Sequence, residues 1–108
     1  MTNKKASEIL ETLVSMRDVC QEQARRDVTN PVLQMRSTLT SAAFNSASQL
    51  KPNVLEDIYG FYKQLAAHNG TTLDLAGMDV NNAYSNTVLT MFIQNMTAHI
   101  GSDPIKPD

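Results

Sequence analysis

The chain has 108 residues, of which 42% are hydrophobic and 19% charged, and its formal net charge is −2. This composition excludes an intrinsically disordered chain, which would be poorer in apolar residues and richer in net charge. The small negative charge also argues against a surface tuned throughout to nucleic acid, because such binding depends on Lys and Arg neutralising phosphates. The length is typical of one domain with its own hydrophobic core.

The single cysteine, Cys20, excludes a disulfide within the chain and suits a reducing compartment. The first residues lack the apolar segment of a signal peptide, and no apolar run reaches the roughly 18 residues of a membrane-spanning helix. We therefore expect a cytoplasmic protein that makes no use of a membrane.

The first two predicted elements are helices. Segment 3–28 has apolar residues spaced alternately by three and four, which is the period of a helix packed on a core. These residues are Ala6, Ile9, Leu13, Met16 and Cys20. Asn30 followed by Pro31 predicts the start of a second helix over 31–49, since Asn is a good N-cap and Pro is tolerated at the next position. The apolar face predicted for this helix contains Val32, Met35, Leu39, Ala42 or Ala43, Ala47 and Leu50.

A third helix is predicted over 54–69. Asn53, with Glu56 three residues later, resembles a capping box at its start. Gly70 is a natural residue for the left-handed conformation that ends a helix. Residues 70–78 then form the longest connection, before a fourth helix predicted over 80–100.

These breaks predict an all-α fold, a compact bundle of about four helices with short loops. We expect a single helical domain over 1–101 and a frayed C-terminal tail over 102–108. An α+β fold stays open as an alternative, because the segment 87–90, Thr-Val-Leu-Thr, also suits a strand.

The fourth predicted helix lacks charge. Residues 80–102 contain no Asp, Glu, Lys or Arg over 23 consecutive positions. Exposed helix faces normally carry charges, so we expect this helix to be screened from bulk water on most sides. Two interpretations stay open: the helix is central in the monomer, or part of it is a surface for a partner or a second copy. Interface cores are poor in charged residues and rich in Met and aromatic residues.

We predict a protein interface on this helix. It would contain Val88, Met91, Phe92, Gln94, Asn95 and Met96. The first functional hypothesis is therefore a non-enzymatic protein–protein interaction module that self-associates as a homodimer. An adaptor, a chaperone, or a small inhibitor or regulator of the kind that phages and plasmids encode would fit this description.

A second hypothesis is a nucleic-acid-associated regulator with an arginine patch where the first two helices meet. The patch would contain Arg17, Arg25, Arg26 and Arg36. Acidic residues are mixed with these arginines and no aromatic residues alternate with them, which is more typical of a solvated face. We therefore do not expect nucleic acid to be the main partner.

A third hypothesis is a small ligand binder or enzyme with a pocket between helices, lined by Tyr59, Tyr62, His68 or His99. The sequence has no Walker loop, no nucleotide-binding glycine motif and no HExxH motif. Its two histidines lie in different helices, and only Asp103 offers a second ligand one turn away, whereas a zinc site needs three or four. We expect no catalytic residue, no cofactor and no bound metal.

Overall fold

The chain folds into four α-helices, as the sequence predicts. The structure is a computed structural model that describes residues 4–73 and 83–101. The helices are α1 (Lys4–Arg26), α2 (Pro31–Ser48), α3 (Pro52–His68) and α4 (Ala83–Ala98). The described residues contain no strand, and the segment 87–90 lies inside α4. The all-α prediction is confirmed, and the α+β alternative is wrong.

Some of the predicted segments lie outside the described residues. They are 74–78 of the connection, 80–82 of the predicted fourth helix and the tail 102–108. Within the described part of the connection, Leu73 is buried in the core, as expected of an apolar residue that holds a loop against the bundle.

The start of α2 follows the predicted capping. The side-chain Oδ1 of Asn30 accepts hydrogen bonds from the backbone N–H groups of Val32 at 3.0 Å and Leu33 at 3.4 Å. Pro31 occupies the first helical position. The cap satisfies two of the N–H groups that have no carbonyl partner within the helix.

The third helix starts two residues before the predicted position 54. It begins at Pro52. The N-cap residue, Lys51, makes no side-chain hydrogen bond that caps the helix. The capping box proposed for Asn53 and Glu56 is therefore wrong. Proline suits the first helical position, because the N–H that it lacks would have no intrahelical partner there.

The end of α3 is the one that the sequence predicts. Gly70 has a φ of 72°, in the left-handed region that glycine adopts readily. Its N–H donates to the carbonyl of Ala67 at 3.1 Å, and the N–H of Thr71 donates to the carbonyl of Ala66 at 2.9 Å. This pair of bonds is a Schellman motif, which satisfies two of the last carbonyls of the helix.

Helices α1 and α2 form an antiparallel hairpin. Near the turn, Nε2 of Gln34 donates to the carbonyl of Ala24 at 2.9 Å. Farther from the turn, Nε2 of Gln21 donates to Oγ of Ser41 at 3.1 Å. The contacts therefore run backwards along α1 as they run forwards along α2.

Helix α4 lies parallel to α2 and also packs on α3. Nε of Arg36 donates to Oδ1 of Asn86 at 3.0 Å, and the hydroxyls of Ser46 and Thr97 are 3.2 Å apart. Both pairs advance in the same direction along the two helices. Helix α3 completes the bundle by packing on α4 and, less extensively, on α1.

The core lies where the helices meet. The predicted apolar stripe of α1 is buried throughout, from Ala6 to Cys20. Phe92 of α4 is fully buried, and its ring centroid lies 5.9 Å from the ring centroids of both Tyr59 and Tyr62 on α3. These aromatic contacts fix α4 against α3.

The buried face of α2 is rotated relative to the prediction. Ala43, Ala47 and Leu50 are buried as expected, but Met35 is exposed and Val32 and Leu39 are only partly buried. The buried positions nearer the start of the helix are Leu33, Arg36 and Thr40. A hydrophobic pattern does not count Arg and Thr as core residues. The predicted face of this half of α2 therefore lies one residue before the face that is buried.

Candidate functional site

The charge-free helix α4 has an inner and an outer face. Of the six residues predicted to form an interface, Val88, Phe92 and Met96 point into the core and are buried. Met91 and Gln94 are exposed, and Asn95 is partly buried. Of the predicted set, only Met91, Gln94 and part of Asn95 are therefore available at the surface of the monomer.

Five exposed residues of α4 line up along one side of the helix. We call this surface the outer stripe. It consists of Tyr84, Thr87, Met91, Gln94 and Ala98. Their spacing alternates between three and four residues, and none of them is charged. Tyr84 is 50% exposed and Met91 39% exposed, so the stripe presents two large side chains to solvent.

An exposed aromatic residue of α3 lies beside a tyrosine that contacts α4. Phe61 is 62% exposed, and its ring centroid lies 5.0 Å from that of Tyr62. The hydroxyl of Tyr62 accepts a hydrogen bond from Nδ2 of Asn95 at 3.2 Å. The buried Tyr62 therefore contacts both Phe61 and α4.

Sequence reasoning missed part of the outer stripe. Of its residues, Tyr84, Thr87 and Ala98 were not among the six predicted for an interface. The signal was present as the spacing of 84, 91 and 98, each one heptad apart. That spacing indicates one side of a helix but does not say which side faces solvent.

The four predicted patch arginines do not share one surface. Arg25 and Arg26 are both exposed, and each forms an ion pair with Glu22. The distance between Nε of Arg26 and Oε1 of Glu22 is 3.1 Å. Nε of Arg17 donates to Oδ1 of Asp18, and its guanidinium lies 4.9 Å from the ring centroid of Phe44. These three arginines are each engaged with a neighbouring acid, which lowers the positive potential they present.

The fourth of these arginines, Arg36, is completely buried. Its exposed fraction is 0%, and it crosses from α2 to Asn86 on α4. Burial of a charged side chain is compatible with folding only when hydrogen bonds replace its hydration. Arg36 therefore belongs to the interior of the bundle and is not at the surface with Arg25 and Arg26.

A groove of about 540 Å³ separates α1 from α3. Its lining combines the partly buried Tyr59 with charged side chains of both signs: Lys5 and Glu8 from α1, and Glu56 and Lys63 from α3. Gly60 also faces it. The sequence does not indicate these charged residues, because they lie on two different helices. A local sequence pattern does not predict that those helices are in contact.

Of the four residues suggested for a pocket between helices, this groove contains Tyr59. Tyr62 is in the core, and His68 is exposed at the end of α3. Nδ1 of His99 lies 2.9 Å from the carbonyl oxygen of Asn95 on its own helix. Tyr62 and His99 thus contact the same residue, Asn95, the first at its side-chain amide and the second at its carbonyl, and neither lines the groove.

Over residues 4–73 and 83–101, no group of three or more His, Cys, Asp or Glu side chains is arranged to hold a metal ion. No helix in the same part of the chain has the length and apolar character needed to cross a membrane. Cys20, which the sequence analysis placed on the apolar stripe, is buried in the core.

The functional assignment rests on these surfaces, because similarity to other proteins does not indicate a function. Comparison of the chain with protein-family models, with curated proteins and with solved structures finds no match.

Proposed function

We propose that this protein is a small helical interaction module that pairs with a second copy of itself through the outer stripe of α4. The observation that carries the proposal is the absence of charge on a face that is exposed in the monomer. Burial explains the lack of charge at Val88, Phe92 and Met96, but it does not explain it at Tyr84, Met91 and Gln94. A surface that becomes buried in a dimer supplies the missing reason.

The spacing of the outer stripe suits a helix pair. Positions that alternate by three and four residues form the seam of a coiled coil, where side chains of one helix fit between those of the other. Helix α4 has 16 residues, which corresponds to a seam of about 24 Å at 1.5 Å per residue. Tyr84 and Met91 supply apolar contact area, while Thr87 and Gln94 can hydrogen-bond across the seam without the desolvation cost of an ion.

A second copy is the partner that this chemistry favours. In a two-fold dimer the same patch meets itself, so a charged stripe would place like charges close together. An uncharged stripe avoids this repulsion. The exposed faces of α1, by contrast, carry charged residues such as Glu11, Asp18 and Arg25, which are less compatible with packing against a copy of the same face.

The size of the stripe sets the expected affinity. One helix pair is at the small end of specific protein interfaces. We therefore expect a dissociation constant of about 1–100 μM, or roughly −8 to −5 kcal/mol. Dimer formation should be visible as a change of mean mass with protein concentration.

Sedimentation equilibrium of the wild type and two matched variants tests the proposal. Met91→Glu places a carboxylate in the centre of the stripe and should shift the chain to monomer. Val19→Glu introduces the same charge on α1, whose exposed face already carries charged residues and where Val19 has the same exposed fraction of 39% as Met91; it should leave the dimer intact. Circular dichroism of both variants should show unchanged helicity, since both side chains are exposed.

Three outcomes would contradict self-association through this stripe. The wild type could remain monomeric at high concentration, the two variants could weaken the dimer equally, or Met91→Glu could unfold the chain. Added salt should have little effect on the dimer, because the stripe is uncharged. A steep salt-dependent binding of nucleic acid would support the regulator hypothesis instead.

A further inference from the structure

We propose that the groove between α1 and α3 binds a small zwitterionic ligand of amino-acid or dipeptide size. The carboxylate of Glu56 would accept hydrogen bonds from the ligand's ammonium group. Lys5 and Lys63 at the edges of the groove would attract its carboxylate. This site is separate from the outer stripe of α4 and does not depend on dimer formation.

The strongest observation is an unsatisfied carboxylate oxygen. Oε2 of Glu56 is shielded from solvent and has no hydrogen-bond partner. A buried acceptor without a donor is unfavourable, and the cost is larger for a charged group. Because Glu56 lines the groove, a turn of its side chain would bring this oxygen to a bound ligand. The ligand's ammonium group would then donate to it and remove that cost, and the bond would be strengthened by the opposite charges.

Gly60 provides a second, independent observation. It lies in the middle of α3, faces the groove, and has no positive φ that would require glycine. A Cβ at this position would meet no heavy atom within 4 Å, so helix packing does not require glycine either. Glycine inside a helix lowers its stability relative to alanine. Its effect here is to leave the wall of the groove open.

The dimensions and charges of the groove agree with this ligand class. A volume of about 540 Å³ lies within the range of small-molecule sites. The lining pairs Lys5 and Lys63 with Glu8 and Glu56, so it carries no net charge and favours a molecule that is itself neutral overall but charged at both ends. A polyanion or a polycation would meet repulsion from one pair.

Glycyl-leucine and its N-acetylated form are suitable probes, because they differ in the ammonium group. We expect glycyl-leucine to produce saturable shifts in heteronuclear NMR spectra of the full chain, with a millimolar dissociation constant. The shifts should be centred on Thr12, Gly60 and Lys63. Acetylation of the probe should weaken binding at least tenfold, because it removes the charge that Glu56 recognises.

Two variants and their two controls locate the site. Glu56→Gln removes the carboxylate charge and should weaken glycyl-leucine binding at least tenfold. Glu11→Gln makes the same change on an exposed position of α1 outside the groove and should leave binding unchanged. Gly60→Leu should block the groove, whereas Gly60→Ala adds only one methyl group to open space and serves as the control for folding.

The proposal is overturned if glycyl-leucine causes no saturable shift at millimolar concentration. It is also overturned if the acetylated probe binds equally well, or if Glu56→Gln and Glu11→Gln behave alike. Equal binding of acetate would show a site for anions at the lysines and would refute the role of Glu56. Met91→Glu should bind the probe as the wild type does, so failure of this site and failure of the dimer can be told apart.

Discussion

The hydrogen bond between Arg36 and Asn86 is expected to contribute measurably to stability, and a double-mutant cycle can isolate it. Arg36 is fully buried, and its Nε donates to Oδ1 of Asn86 at 3.0 Å. The bond joins α2 to α4. The cycle consists of Arg36→Met, Asn86→Ala and the double variant.

The magnitudes follow from what each change leaves behind. Asn86→Ala removes the acceptor from a buried charged donor, which costs about 1.5–3 kcal/mol. Arg36→Met keeps much of the side-chain volume but leaves Oδ1 of Asn86 without this donor, at a cost of about 1–3 kcal/mol. Each single variant loses the same bond, so the double variant should be more stable than the sum predicts by about 1–2 kcal/mol.

Urea unfolding followed by circular dichroism gives the four free energies of unfolding. All four proteins should be measured at one concentration, because self-association would add to the apparent stability. Additivity within about 0.5 kcal/mol would show that the two side chains are not coupled. The expected contribution of this hydrogen bond to stability would then be refuted.

Three other stability changes can be checked in the same unfolding assay. Phe92→Ala should cost about 3–5 kcal/mol because it empties a fully buried position between two aromatic rings; a loss below about 1 kcal/mol would contradict its central place. Asn30→Ala should lower the free energy of unfolding by about 1 kcal/mol because it removes the cap of α2, whereas Asn30→Asp should keep most of that stability. Equal losses in the two variants would contradict the capping role. Glu22→Gln should change stability by less than about 0.5 kcal/mol, since its ion pairs with Arg25 and Arg26 are exposed; a loss above about 1 kcal/mol would contradict this.

Features that depend on local chemistry could be predicted from the sequence. The cap at Asn30 and the stop at Gly70 follow from the hydrogen bonds and backbone angles that these residues favour. The stripe of α1 was also predictable, since its apolar positions alternate with charged residues that mark the solvent side. In each case a few neighbouring residues determine the structure.

The face of α2 could not be predicted in this way. Its middle consists of small and hydroxyl-bearing residues, so the difference in hydrophobicity between its sides is small. The rotation is determined by contacts with other helices: Arg36 bonds to Asn86, and Ser46 lies beside Thr97. Thr40 is satisfied within α2, because its hydroxyl donates to the carbonyl of Arg36 at 2.8 Å. Polar residues that find partners inside the bundle look like surface residues in the sequence.

Helix α4 presents the opposite difficulty, because nothing in its sequence marks a solvent side. Without Asp, Glu, Lys or Arg, helical spacing fits both the buried line through Val88, Phe92 and Met96, which are four residues apart, and the exposed line through Tyr84 and Met91, which are seven apart. Only packing against α2 and α3 decides between the two lines. Once that choice is made, the lack of charge on the exposed line becomes informative, since solvent would tolerate charge there. The sequence thus predicts that α4 is screened from water. In the structure the inner face of α4 is buried, so the outer stripe is the part of the helix whose lack of charge is not explained by burial in the monomer.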